Sequence, residues 1–227
     1  MIFDKKLFEV DVMEGLKELN LAYTETNIQQ LIEFSTEFFK WNTIHNLSAI
    51  RSYHEYLGAH VMDSLAVVNP LLKKAHQGIL PHRAKLADLG VGGGFPGMLL
   101  AIFMPDVEFY LVEAVKKKTA FLQHIKGCLK LKNVSIIDQR VEHFSKDLPH
   151  SMDATISRAF TELKNFAAYS APLLRPNGIM FAMKSQKINL EIDRLPSDFQ
   201  IIDSEELKIP YLEAYRCLLS LQSMRKS

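Results

Sequence analysis

Cysteine, glycine and tryptophan are all scarce in this chain of 227 residues: two, ten and one respectively. Cys128 and Cys217 stand far apart without ligand-type spacing, so neither a disulfide framework nor a cysteine metal site is indicated, and a reducing compartment fits. No metal is expected. Long apolar runs are missing as well. The first ten residues, MIFDKKLFEV, hold no signal-type apolar core, and the run from Met98 to Met104 is far too short to cross a bilayer. A soluble, cytoplasmic protein with no membrane partner is expected. Nor does charge of one sign dominate, since 27 Lys and Arg face 26 Asp and Glu. Yet the balance is uneven: residues 1–70 carry five basic and ten acidic side chains, and the remainder 22 and 16. A polyanionic partner could lie on the basic part, although an ordinary solvated surface explains the same asymmetry.

The glycines that do occur stand together. Five of the ten, Gly90, Gly92, Gly93, Gly94 and Gly97, fall in the stretch LADLGVGGGFPGMLLAIF, Leu86 to Phe103. A tight turn needs fewer. Gly92 to Gly97 satisfies the dinucleotide pattern G-x-G-x-x-G, and Asp88 to Gly94 equally satisfies acid-x-G-x-G-x-G.

Around this loop the periodicity divides the chain. Residues 1–72 read as a helical extension. Leu7, Val10, Met13 and Leu16 share a helical face, as do Ile28, Leu31, Ile32, Ser35, Phe38 and Phe39 after the TETN cluster. Ser52 and Glu55 suggest a capping box, and Leu57, Val61, Ser64, Leu65 and Val68 line a third helix that Pro70 stops. Phe38, Phe39 and Trp41 read as core. Residues 73–85 have no clean period and read as a connector. From Lys85 to the end, short β-rich runs alternate with helical ones: AKLADLG, VEFYLVEA, NVSIIDQR, MDATISRAF and IMFAMKS. RPNG reads as a turn before the fifth run, and the tail closes as an antiparallel pair. The fold class is α/β, a mostly parallel sheet flanked by helices. Extension and core together are expected to form one integrated globular unit, a monomer.

In such a sheet the loop after the first strand borders the ligand crevice. Asp88 at that strand's end distinguishes cofactors. A carboxylate about 6 Å from one diphosphate charge costs roughly 3 kcal/mol at an effective dielectric near 20, whereas an ammonium or sulfonium is favoured by a similar amount. This prefers S-adenosylmethionine to a dinucleotide. Glu113 ends the second strand and can accept hydrogen bonds from ribose hydroxyls, a role open to both cofactors. Read blandly, it is a solvated strand end.

Beyond the loop, the segments HNLSAIR, HVMDSL, DLGVGGGFPG, LVEAVKKKTAFL, QRVEHF and ISRAF occur in order along nearly the whole chain. This series resembles the RsmG (GidB) family of 16S rRNA methyltransferases. The resemblance implies a class I methyltransferase fold, a Rossmann-like seven-stranded sheet with an N-terminal helical extension. It also implies methyl transfer from S-adenosylmethionine to N-7 of a guanosine in the 530 loop of 16S rRNA, position 527, within the small subunit or an assembly intermediate. Carried onto this sequence, the family's cofactor contacts would fall on Gly90, Phe95, Glu113, Val141, Glu142 and Arg158, with Val141 and Glu142 near the adenine; Asp88, Gly92, Gly94 and Ala114, in the loop and after the second strand, join them as cofactor candidates. One departure stands out: the family has Lys-Gly after the fifth strand, and here Ser185 follows Lys184.

Guanine N-7 carries a lone pair and no proton, so transfer to it needs alignment more than a general base. The sequence lacks the Asn/Asp-Pro-Pro-aromatic motif of exocyclic-amine methylases, and neither cysteine sits at the strand edge as a nucleophile. No acid/base residue is therefore expected. Arg158, a positioning candidate, could bind phosphate or the guanine O-6 and N-7 edge, anchor cofactor through Glu142 or Asp88, or form a buried structural ion pair. Asn46, Arg51, His60, Lys116, Lys117, Lys184 and Arg216 are candidates for RNA contact, although lone histidines are more often packed and lysine runs more often solvated. A small-molecule methyltransferase and a dinucleotide-binding oxidoreductase or sensor remain as alternatives.

Overall fold

A computed structural model describes residues 3–50, 52–185 and 188–224; Arg51 lies outside the described residues. Helix α1 (Lys5–Glu18) is capped by Asp4, whose carboxylate accepts from Lys6 and Leu7 N–H. Its buried face is Phe8, Val12, Gly15 and Leu16, whereas Leu7 and Val10 are 49% and 55% exposed. The expected face was thus one residue out of phase at its start. Burying the Phe8 ring against Tyr56 removes more apolar area from water than burying Leu7 would. Helix α2 (Glu25–His45) starts on a Thr24–Asn27 capping box and buries every residue expected, with Phe34 in addition. Asn46 ends it in the left-handed conformation, φ 48°.

Ser52 caps α3 (Tyr53–Tyr56), its hydroxyl accepting from Glu55 N–H. The chain then widens into a π-helical turn, Leu57–Met62, before α4 (Asp63–Leu65) and α5 (Val68–His76). Pro70 does not stop a helix. It stands in the first turn of α5, where a missing N–H costs nothing. The helix consequently runs to His76, into the stretch expected to be connector.

The core alternates β1 (Lys85–Leu89), α6 (Gly97–Phe103), β2 (Glu108–Glu113), α7 (Lys116–Leu129), β3 (Val134–Asp138), α8 (Val141–Asp147), β4 (Met152–Arg158), α9 (Leu163–Ser170) and β5 (Leu174–Lys184). Short α10 (Ile188–Ile192) precedes β6 (Phe199–Glu206) and β7 (Cys217–Ser223). The strands form one seven-stranded sheet in the order β3-β2-β1-β4-β5-β7-β6. β7 runs antiparallel to β5 and β6, and the other pairings are parallel. This is the topology expected. RPNG does not precede the fifth strand but forms an irregularity within it, with Asn177 at φ 65°.

Two apolar layers cover the sheet. Leu86, Ile156 and Phe181 face one layer, and Ala87, Met180 and Ala182 the other, as the two-residue side-chain period requires. The extension packs into the first layer: Phe34 and Phe38 lie against Phe95 of the glycine loop and Phe121 of α7, centroids 5.3 to 6.1 Å apart. That packing carries the π-turn to the carboxyl edge of the sheet.

Candidate active site at the carboxyl edge of the sheet

β1 pairs with β2 on one side and β4 on the other, so the strand order reverses at β1, and crevices open at such a reversal. The glycine loop leaves β1 here. Gly90 and Val91 N–H both donate to Val112 O, at 2.9 and 3.2 Å. Gly90 has φ +75°, and a Cβ on it would lie 2.2 Å from Phe160 Cδ2. Glycine at this position is therefore required twice, by backbone conformation and by the close approach of Phe160.

Asp88 is fully buried, and its Oδ2 accepts from Gly97 N–H at 2.8 Å, tying β1 to the start of α6. Burial pushes its carboxyl up to about 8, against the opposing pull of the Gly97 hydrogen bond. The Coulomb argument for a cationic ligand takes an ionised carboxylate, a form that burial disfavours here; the contact Asp88 makes is the one that shapes the loop. Phe95 is likewise buried, within the rings of Phe34, Phe38 and His60.

Two clefts flank the loop that follows β4, and Ala159, Phe160 and Thr161 line both. Ala159 adopts φ 50°, a conformation of order 1–3 kcal/mol above the usual wells for a non-glycine residue. The first cleft, about 480 Å³, is lined by Gly90, Glu113, Ala114, Val141 and Glu142, together with Lys118, Gln139 and Arg140. Glu113 Oε2 accepts from Gly92 N–H at 3.0 Å, and Oε1 accepts from Ala114 and Val115 N–H, both at 2.9 Å. Three of about four acceptor positions of the carboxylate are taken. One remains for a ribose hydroxyl. The volume lies within the ~300–1,000 Å³ of small-molecule sites. A nucleoside cofactor fits these residues: the carboxylate has a free acceptor position, and the side-chain-free Gly90 lines the floor.

The second cleft, about 470 Å³, is lined by Arg158, Lys184, Arg216, Asp63, His60 and Glu191. Arg158 Nη1 donates to Ala59 O at 2.6 Å and to Asp63 Oδ2 at 3.2 Å. Its guanidinium carbon stands 5.4 Å from the centre of the Phe95 ring. Arg216 Nε pairs with the other oxygen, Asp63 Oδ1, at 3.2 Å. Lys184 Nζ donates to Thr161 O at 3.1 Å and to Glu191 at 2.6 Å. Ser185 lies beside it on the cleft wall. His60 Nε2 meets Ser48 Oγ at 3.0 Å, and Nδ1 meets Ala59 O at 3.0 Å. Burial, and then the nearby Arg158, push this imidazole down to about 3. It is neutral at physiological pH.

The sequence-predicted residues thus divide. Gly90, Glu113, Ala114, Val141 and Glu142 converge on one cleft, and His60, Arg158, Lys184 and Arg216 on the other. Arg158 makes its ion pair with Asp63, not with Glu142 or Asp88. Asn46 caps α2 and lines neither cleft, nor do Lys116, paired with Asp138, or the exposed Lys117. Lys118 instead reaches the first cleft, its Nζ 3.9 Å from Glu113. The residue that sequence reasoning passed over is Asp63. It lay inside the segment HVMDSL, but nothing in the spacing pointed to a partner 95 residues away. No group of three or more His, Cys, Asp or Glu among the described residues is placed to hold a metal ion. No helix among them is long and apolar enough to cross a membrane.

Comparison with known proteins adds the following. The model of the GidB family, described as rRNA small subunit methyltransferase G, matches residues 27–219. A ribosomal RNA small subunit methyltransferase G of Polynucleobacter asymbioticus is 41% identical over 214 residues, covering 93% of this chain and 94% of that protein. Its namesake in Acidovorax ebreus is 39% identical over 213 residues, 92% of each. Among solved structures, a SAM-dependent methyltransferase from Aquifex aeolicus superposes with a TM-score of 0.55 at 12% identity, over 81% of this chain and 97% of that one. TYW2 of P. horikoshii, solved in complex with MeSAdo, gives 0.54 at 12% identity, over 78% and 65%. At such identities these two likenesses speak for the fold.

Proposed function

The chain belongs to the GidB family of rRNA small subunit methyltransferase G proteins, and on that premise we propose that it methylates N-7 of a guanosine in the 530 loop of 16S rRNA, position 527, using S-adenosylmethionine. The observation that carries the reading is the pair of clefts meeting at Ala159–Thr161. One offers a carboxylate and a glycine floor, suited to a nucleoside; the other offers two arginines and a lysine, suited to a purine edge or a phosphate.

When bound, S-adenosylmethionine supplies a methyl carbon on a sulfonium. Glu113 would hold its ribose, Val141 and Glu142 would border the adenine, and Gly90 would allow close approach of the methionine portion. Arg158 and Arg216 orient the target base from the second cleft. The purine lone pair at N-7 would form the new N–C bond as the methyl–sulfur bond breaks and its pair stays on sulfur, with S-adenosylhomocysteine leaving, so no side chain has to remove a proton. His60, pushed down to about 3, is too weak a base to take a proton near neutral pH. Positioning is then the main contribution of the protein.

The test is methyl transfer onto 16S rRNA, or small-subunit particles, from a strain lacking this modification, with the modified atom mapped. Incorporation at position 527 N-7 is expected. Labelling of another base or atom defeats the specific claim, and labelling of free purine nucleotides alone would favour a small-molecule enzyme. Calorimetry separates the cofactor claim, since S-adenosylhomocysteine should bind and NAD should not.

A further inference from the structure

The second cleft contains a side chain whose task the reaction scheme leaves open. Asp63 is 3% exposed and comes from the helical extension, yet it borders the cleft and holds two guanidinium groups. Its Oδ2 accepts a hydrogen bond from Arg158 at the end of β4, and its Oδ1 forms an ion pair with Arg216 Nε, 3.2 Å away in the segment before β7, without hydrogen-bond alignment. The π-turn sets this up. With Asp63 N–H bonded to Gly58 O, five residues back, the ladder widens, and Ala59 O is turned to accept from Arg158 at 2.6 Å. Gly58 lets the backbone of Tyr211 approach this turn, because a Cβ there would lie 2.5 Å from Tyr211 O.

We propose that Asp63 is a positioning residue for methyl transfer: it fixes Arg158 and Arg216 in one arrangement beside the target base and offsets their charge. The inference rests on the function proposed above. Two unpaired guanidinium groups in one cleft would repel each other and take several rotamers. One carboxylate between them removes both problems. Charge matters for a second reason. As the N-7 lone pair forms the new N–C bond, the methyl–sulfur bond breaks and its electron pair stays on sulfur, so a unit of positive charge passes from the donor to the purine ring beside the arginines and no proton leaves. Beside two bare arginines that product would be disfavoured. With Asp63 paired to both arginines and Glu191 to Lys184, these five groups carry a net charge of +1 (three cations, two carboxylates), against +2 without Asp63.

The experiment compares Asp63→Asn, Asp63→Glu and Arg216→Gln in the full chain, assayed on 16S rRNA or small-subunit particles lacking the modification. Asp63→Asn should lower kcat by about 10- to 100-fold, the scale of lost alignment. The KM for RNA should move less than about threefold, because phosphate contacts elsewhere dominate affinity. S-adenosylhomocysteine affinity should stay as in the wild type, and Asp63→Glu should recover part of kcat. Unchanged kcat in a variant that still binds S-adenosylhomocysteine overturns the proposal, as does a loss confined to KM. If Asp63→Asn fails to fold, shown by loss of S-adenosylhomocysteine binding, Arg216→Gln decides. The Arg216 side chain is less buried than that of Asp63, 22% against 4% exposed, and lowered kcat at unchanged cofactor affinity supports the role, whereas wild-type kcat overturns it. Failure of the wild-type protein itself to methylate RNA would instead count against the functional reading.

Discussion

The cleft beside Glu113 and the cleft beside Arg158 share the wall Ala159–Thr161, yet they are built in opposite ways. The first is made of backbone. The N–H groups of Gly92, Ala114 and Val115 organise one carboxylate, the farthest of them 21 residues away, at the ends of two neighbouring strands. The second is made of side-chain charge, with Asp63 paired to an arginine 95 residues away. The lesson is that one site can combine a locally encoded half, sensitive to volume, with a half assembled by tertiary packing, sensitive to charge.

Arg158→Ala should break the comparison most severely. Removing the guanidinium leaves Asp63 buried with Arg216 as its remaining ion-pair partner, costing about 3 kcal/mol of stability, and methylation should fall to background. S-adenosylhomocysteine should still bind by calorimetry. Normal turnover would remove Arg158 from the site. On the other side, Gly90→Ala should weaken S-adenosylhomocysteine about 100-fold, equivalent to about 2.7 kcal/mol of strain and collision with Phe160. Wild-type affinity would mean that Phe160 moves aside freely.

Acid sharpens the contrast, because each half buries one titratable group shifted in the opposite stability sense. His60 is pushed down to about 3, so between pH 6.5 and 3 the unfolded chain binds the proton and the folded chain does not. Its stability contribution is lost as pH falls through that window, by about 1.4 kcal/mol per unit. Asp88 is pushed up to about 8, so between its unfolded value of 3.8 and pH 8 the folded state holds the extra proton. Its contribution is present below 3.8 and is lost as pH rises toward 8, with a similar slope. Where the windows overlap, from 3.8 to 6.5, the two slopes cancel. Denaturant titrations of Asp88→Asn should therefore show stability rising with pH in that interval, and of His60→Gln falling. Flat profiles in both variants would mean that neither group is shifted. The smallest effect concerns the exposed lysines. Lys117→Ala should reduce the salt slope of RNA affinity by about one, while an unchanged slope would leave Lys117 a solvated side chain.

Much of this was legible beforehand because it rests on period and local chemistry. The alternating pattern marked the strands, and the buried face of α2 followed from spacing at Ile28, Leu31, Ser35 and Phe38. The face of α1 was missed because two apolar phases compete there, and contact with Tyr56, distant in sequence, selects between them. Pro70 was misread because a proline in a first helical turn and a proline after a last one look alike without the backbone. The upward shift of Asp88 was hidden for a related reason: burial is a property of what surrounds a group, and its neighbours come from other segments.

By itself the sequence determined the order of strands and helices, the glycine loop and the place of Glu113 beside it, since these depend on side-chain period and on backbone conformations open to glycine. Only the tertiary structure decided that Asp63 pairs with Arg158 and Arg216, that Asp88 is buried with its carboxyl pushed up, and that Lys118 rather than Lys116 reaches the cleft. Pairing and burial are set by distances through space, and those arise when the helical extension packs against the sheet.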